Sequence, residues 1–152
     1  MTVTVRGLDE IESLAGRDLG RSEWRVVTQD AVDMFADVSG DAQWIHVDRQ
    51  RAADGPYGGT IAHGLMTLSW GVPLLAELLV VSGVRLALNY GSNRVRFPAP
   101  VPVGCRVRLH AVITAVRRVP GNGVEMERAL TFEIEDADKP ACVSESLTRF
   151  YG

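Results

Sequence analysis

From Ala62 to about Val80 the chain is apolar nearly all round at helical spacing. Leu65, Met66, Leu68, Trp70, Val72, Leu74, Leu75, Leu78 and Leu79 leave such a helix no polar face. A helix of that kind is a buried one, so other elements must enclose it. The most apolar run, Leu65 to Val84, holds Glu77, Pro73 and several small polar residues, which argues for a protein core and against a membrane span. Pro73 predicts a kink or a break inside the helix.

The C-terminal half of the chain can supply that enclosure. Arg85 to Tyr90 and Arg94 to Phe97 are candidate strands, the second stopped by Pro98-Ala99-Pro100. Val103 to Arg117 alternates through Val107, Leu109, Ala111 and Ile113. Pro120-Gly121-Asn122-Gly123 is a turn into a strand from Val124 to Glu135. There Met126, Arg128, Leu130, Phe132 and Ile134 share one side, and Glu125, Glu127, Thr131, Glu133 and Glu135 the other. Asp136 to Pro140 turns again, into a last strand from Ala141 to Tyr151. Long antiparallel strands around a fully buried helix predict an α+β domain whose sheet wraps that helix. At 152 residues, one domain spanning 1–152 is the simplest division.

Ahead of the apolar helix, Glu23 to Val27 reads as a short strand. Thr28 then caps a helix from Gln29 to about Ser39, with Asp30 in its first turn. Asp48 is a candidate N-cap for a further short helix, and Gly55 to Gly59 form a loop. The net charge of −3 argues against a general nucleic-acid binder, although a few local arginines could hold a phosphate. Cys105 and Cys142 form no CxxC, which favours reduced thiols and a cytoplasmic setting, and the start of the chain shows no signal-peptide pattern.

The chemistry is concentrated between Phe35 and Gly64. Asp41 and His46 stand five residues apart in a non-periodic segment, which runs through the Gly-rich loop to His63-Gly64 at the start of the apolar helix. An acid and a base facing a helix N-terminus suit the addition or removal of water beside a polarised carbonyl. Taken alone, Asp41 could equally be a turn residue. His63 could close the helix start or touch a substrate, Ser39 reads as a helix-end residue, and His110 has no partner motif. The histidines lack ligand spacing to one another and no Cys or carboxylate completes a set, so no metal is implied.

The run Ser39-Gly40-Asp41-Ala42-Gln43-Trp44-Ile45-His46-Val47-Asp48, followed by Ile61-Ala62-His63-Gly64-Leu65-Met66, resembles the hydratase motif of MaoC-like proteins, which include the R-specific enoyl-CoA hydratases. The segment from Asn93 to Gly104 is similar to the family's middle strand and turn. Gln43-Trp44 stand where Asn-Pro is common, a variant that resembles the NodN-like branch. The resemblance implies a hotdog fold and hydration of trans-2-enoyl thioesters to (R)-3-hydroxyacyl thioesters, or the reverse. Asp41 and His46 would handle the water, and the backbone N–H of Gly64 would face the thioester oxygen. His63, Ser39, Trp44, Arg94 and Arg96 are the candidate substrate contacts, the two arginines for phosphates of a carrier. Trp44 is bulkier than proline and puts the pocket size in question. Coenzyme A or an acyl-carrier protein would be part of the substrate, with no bound cofactor, and a homodimer is implied. A thioesterase of the same fold and a non-catalytic module that binds acyl thioesters are the rivals.

Overall fold

Two reversals of the chain build the middle of the sheet. In the computed structural model, which describes all residues from Met1 to Gly152, strands β6 (Arg106–Val119) and β7 (Gly123–Ile134) form a hairpin in register from Val107↔Ile134 to Val119↔Gly123. Its turn needs positive φ at Gly121 and at Asn122, a residue that tolerates that conformation. A second reversal, with Asp136 at φ 57°, leads to β8 (Cys142–Tyr151) beside β7. On the far side of β8 lies β5 (Leu86–Arg96), and β2 (Asp18–Arg21) and β3 (Arg25–Val26) pair with β6. The order is β2-β6-β7-β8-β5, with β5 an open edge. His110 on β6 meets Asp18 at 2.9 Å and ties β6 to β2, a structural task.

The predicted alternation holds. Val107, Leu109, Ala111 and Ile113 from β6, and Met126, Leu130 and Phe132 from β7, lie buried on the inner face. The outer face carries ion pairs such as Arg108–Glu133 and Arg149–Glu125. Toward β5 the inner face becomes polar, because Arg128, Ser144, Ser146 and Thr148 are buried there.

The central helix is two segments, α5 (Gly64–Ser69) and α6 (Gly71–Leu78), joined at Trp70. The Trp70 N–H is shared between the carbonyls of Met66 and Thr67, both at 3.2 Å. The predicted break therefore falls before Pro73. The proline sits in the first turn of α6, where its missing N–H has no intrahelical acceptor to lose. Met66, Leu74 and Leu78 are buried, and Gly71 lets the Phe132 ring approach so that a Cβ would meet it at 3.2 Å.

Two expectations need correction. The helix is not fully buried: Leu65 is 63% and Val72 64% exposed, because one flank faces cavities bounded by β5 rather than packed side chains. It also ends at Leu78, since Leu79–Ser82 is a strand, β4, paired in parallel with β1 (Val3–Arg6). A helix α1 (Gly7–Glu12) follows β1, and neither has a clear signal in the sequence. The two candidate strands after Val84 are the single β5, interrupted by irregularities between Asn89 and Gly91 and between Ser92 and Arg94. No helix of the chain is long and apolar enough to cross a membrane.

Candidate active site

Helix α2 (Gln29–Ser39) begins at Thr28, whose side chain accepts from the Ala31 N–H as predicted. It stops at Gly40, which takes the left-handed conformation (φ 75°) and bonds back to the Ala36 carbonyl at 2.9 Å. Ser39 seals the same end: its hydroxyl donates to the Phe35 carbonyl at 2.7 Å and accepts from the Asp41 N–H at 3.2 Å. Asp41 therefore leaves the helix in a fixed direction, with its carboxylate exposed. The Ser39 hydroxyl is committed to the backbone and is a positioning group in this arrangement.

One helical turn, α3 (Trp44–Val47), carries His46 inward to 7% exposure. Asp48 ends that turn and caps α4 (Arg49–Ala53) by accepting from the Arg51 N–H at 3.0 Å. The loop then returns beside α3, with the Ile61 N–H donating to the Ile45 carbonyl at 3.0 Å. His46 Nδ1 lies 2.7 Å from the Ile61 carbonyl oxygen. A carbonyl only accepts, so Nδ1 carries the proton and Nε2 is the free basic nitrogen of the neutral ring.

His63, the residue before α5, is also buried. Its Nε2 donates to the Asp41 backbone carbonyl at 2.8 Å, and its ring stacks on His46 with centroids 3.8 Å apart. It thus holds the Asp41 turn and the His46 ring together, and its side chain makes no cap hydrogen bond at the start of α5. Its Nδ1 is buried without a hydrogen-bond partner.

Spacing along the chain suggests no metal set, yet the fold brings donor atoms of Asp41, His46 and His63 within 4.8 Å of one another. Imidazoles bind metals through in-plane lone pairs. Rings stacked face to face, 23° from parallel, do not aim two such lone pairs at one point. The donor set fits a held water better than an ion.

His46, Gly64, Leu65, Thr67, Tyr57 and Phe97 line a cavity of about 330 Å³. The Phe97 ring lies so close to Gly64 that a Cβ there would come within 2.8 Å of its Cδ1. The N–H groups of the first α5 turn, Gly64 included, have no acceptor inside the helix. Trp44 stays outside this cavity: its ring packs on Gly55, where a Cβ would meet it at 3.0 Å, and under the Arg51 guanidinium at 4.3 Å. The bulk that put the pocket size in question is accommodated by Gly55. Arg94 and Arg96 do not line the cavity either; they are exposed on β5, and Arg96 donates to the Val95 carbonyl.

The chain belongs to the MaoC-like domain family. The family's model, described as MaoC like domain, matches residues 10–133. The 3-hydroxyacyl-thioester dehydratase Z of Mycobacterium tuberculosis is 48% identical over 147 residues, 97% of each chain. Nodulation protein N of Rhizobium leguminosarum bv. viciae is 39% identical over 149 residues, 93% of this chain and 89% of that protein. Among solved structures, the R-hydratase PhaJ1 of Pseudomonas aeruginosa superposes with a TM-score of 0.67 at 22% identity, over 88% of this chain and 79% of that one. The MaoC-like fold expected here is therefore the one found: a hotdog, with the sheet curved round α5 and α6. Its family is one of dehydratases of the lyase type.

Gln29 has no signal in the sequence. It is buried in the first turn of α2, and its amide donates to the His46 carbonyl at 2.7 Å and to Asp33 at 2.8 Å. Its oxygen accepts from the Thr60 hydroxyl at 2.5 Å. One amide thus ties the His46 carbonyl to the Thr60 side chain, one residue before the Ile61 carbonyl that His46 Nδ1 meets. Gln29→Leu strands the Thr60 hydroxyl and the His46 carbonyl, and is expected to lower unfolding stability by about 1–3 kcal/mol. Urea denaturation reads that loss, and an unchanged midpoint would remove Gln29 from this role.

Proposed function

We propose that this MaoC-like chain adds water across the double bond of trans-2-enoyl thioesters to give (R)-3-hydroxyacyl thioesters, and catalyses the reverse dehydration. The observation that carries the proposal is the locked His46 tautomer. Its free Nε2 belongs to a buried ring that borders the cavity, with the Asp41 carboxylate in the same donor cluster.

In the forward direction one member of the pair takes a proton from a water whose oxygen bonds to C3. The C2–C3 π electrons move onto the thioester as an enolate, and the other member returns a proton to C2. The pair keeps its total of protons, and passage of one proton from the member that took it to the member that gave it restores the starting state. The developing charge on the thioester oxygen meets the Gly64 N–H, whose bare Cα permits close approach. The relative from M. tuberculosis, named for 3-hydroxyacyl-thioester dehydration, supports this substrate class. Coenzyme A or an acyl-carrier protein would deliver the acyl group as part of the substrate, with Arg94 and Arg96 near Phe97 available to carrier phosphates.

A second copy of the chain completes the assembly. The open edge of β5 exposes Leu86, Leu88 and Tyr90, and antiparallel pairing of two such edges would satisfy its backbone and cover those side chains. The free cysteines, Cys105 and Cys142, fit a reducing cytoplasm.

Loss of the enoyl-thioester absorbance of crotonyl-CoA, coupled to an (R)-specific 3-hydroxyacyl-CoA dehydrogenase, tests the activity. Turnover to the R product is the expected result. Release of free thiol without hydration would replace the proposal by a thioesterase, and acyl-CoA binding without either reaction by a binding module.

A further inference from the structure

Arg128 occupies a place in this fold that ordinary sheet chemistry does not explain. It lies on the inner face of β7, between Met126 and Leu130 in the alternation, and is only 6% exposed. The arginines of the outer face pair with glutamates: Arg117 and Arg149 with Glu125, Arg108 with Glu133. Arg128 makes no ion pair. Its one side-chain bond is to the Thr148 hydroxyl, and its Nε is buried without a partner. Beside it the buried Ser146 hydroxyl also lacks one. Burial pulls the guanidinium down to about 10, and the group still carries its charge at neutral pH. A buried cation facing neutral groups is costly unless an anion or a strong acceptor joins it.

Space for that acceptor is present. Arg128 and Ser146 line a second cavity of about 330 Å³, together with Asn89, Ser92, Leu68 and Leu65. Leu65 also lines the cavity that holds His46 and Gly64, so the two cavities share that residue as a wall. That side chain is 63% exposed and is not clamped by core packing. An acyl chain anchored with its thioester at Gly64 would pass Leu65 and arrive among groups that donate hydrogen bonds. A plain alkyl tail would leave the guanidinium and the serine hydroxyl unsatisfied.

We infer that the second cavity is a subsite for the far end of the acyl group, and that Arg128, with Ser146 and Asn89, selects thioesters whose tail bears a carboxylate or another strong oxygen acceptor. The inference rests on the proposed enoyl-thioester reading and adds a substrate class to it. Arg128 is a specificity residue, remote from the reacting carbons, so short substrates should be indifferent to it.

The test compares kcat/KM for trans-2-octenoyl-CoA and trans-2-decenoyl-CoA with their ω-carboxylated counterparts, in wild type, Arg128→Met and Arg128→Lys, with crotonyl-CoA as the short reference. Wild type should favour a carboxylated member by about tenfold to a hundredfold, the worth of a hydrogen bond to a charged group. Arg128→Met should lose or invert that preference while crotonyl-CoA turnover stays within about threefold of wild type, and Arg128→Lys should keep part of it. Titration of the saturated pair octanoyl-CoA and ω-carboxyoctanoyl-CoA by calorimetry reads the same preference without catalysis. Crotonyl-CoA turnover with no preference in either assay overturns the inference and leaves the hydratase reading standing. A calorimetric preference without crotonyl-CoA turnover sinks the hydratase reading and keeps the anion subsite. Arg128→Met that retains full preference, or that changes only the oligomeric state, assigns Arg128 to structure and also overturns the inference.

Discussion

Asp41→Asn and His46→Gln are each expected to lower kcat/KM for crotonyl-CoA by about two to four orders of magnitude, the usual worth of a positioned acid or base. The two substitutions keep size and polarity and remove only the capacity to exchange a proton. Asp41 is exposed, and its backbone carbonyl, which accepts from His63, is untouched by the change. Asp41→Asn should therefore unfold within about 0.5 kcal/mol of wild type. His46 is buried and bonded to Ile61, so His46→Gln should be less stable by about 1–3 kcal/mol yet folded. In the proposed reaction both groups handle one water, so the double variant should be little worse than the poorer single one. Circular dichroism confirms folding before the rates are compared. A folded Asp41→Asn or His46→Gln protein with more than about a tenth of wild-type kcat/KM would remove that residue from proton transfer.

The parts of this fold that short-range spacing encodes are legible in the chain. Period-two alternation in β6 and β7 reports a sheet with one buried face, and the turn at Asn122 fixes their register. Thr28 and Asp48 are readable as caps because a cap acts within three residues. The MaoC-like resemblance is readable because Asp41 and His46 lie on one short segment. What is not legible depends on pairs distant in sequence. Gln29 meets Thr60 across 31 positions, and His63 meets the Asp41 carbonyl across 22. Neither pair has a periodicity. Spacing misses the Asp41, His46 and His63 cluster for the same reason, since His63 reaches His46 only through the fold. Exposure on the central helix is hidden because apolar composition does not reveal that β5 leaves cavities against one flank. Alternation places Arg128 on the correct face, but only packing shows that it lacks an anion there.

Gly64→Ala is the sharpest test of the backbone donor. The position has ordinary helical entry geometry, so alanine meets no backbone strain there. Its Cβ would instead fall 2.8 Å from Cδ1, 2.9 Å from Cγ and 3.0 Å from Cε1 of Phe97. Those atoms include the root of the ring, so rotating its tip does not relieve the contact, and the ring must move as a body. Overpacking of this kind costs about 1–3 kcal/mol. Phe97 lines the cavity beside His46, so the displaced ring and the new methyl both intrude where the proposed reaction brings the thioester oxygen to the Gly64 N–H. Loss of one such donor is worth about two to three orders of magnitude in kcat. Gly64→Ala is expected to fall by about a hundredfold in kcat/KM. Adding Phe97→Ala separates the two effects: it removes Cγ together with the ring and so relieves the clash, which should raise the urea midpoint above that of Gly64→Ala, while the rate stays low because the methyl still covers the N–H. Recovery of both stability and rate in the double variant would assign the loss to the displaced ring, and Gly64 would then serve packing rather than the thioester oxygen.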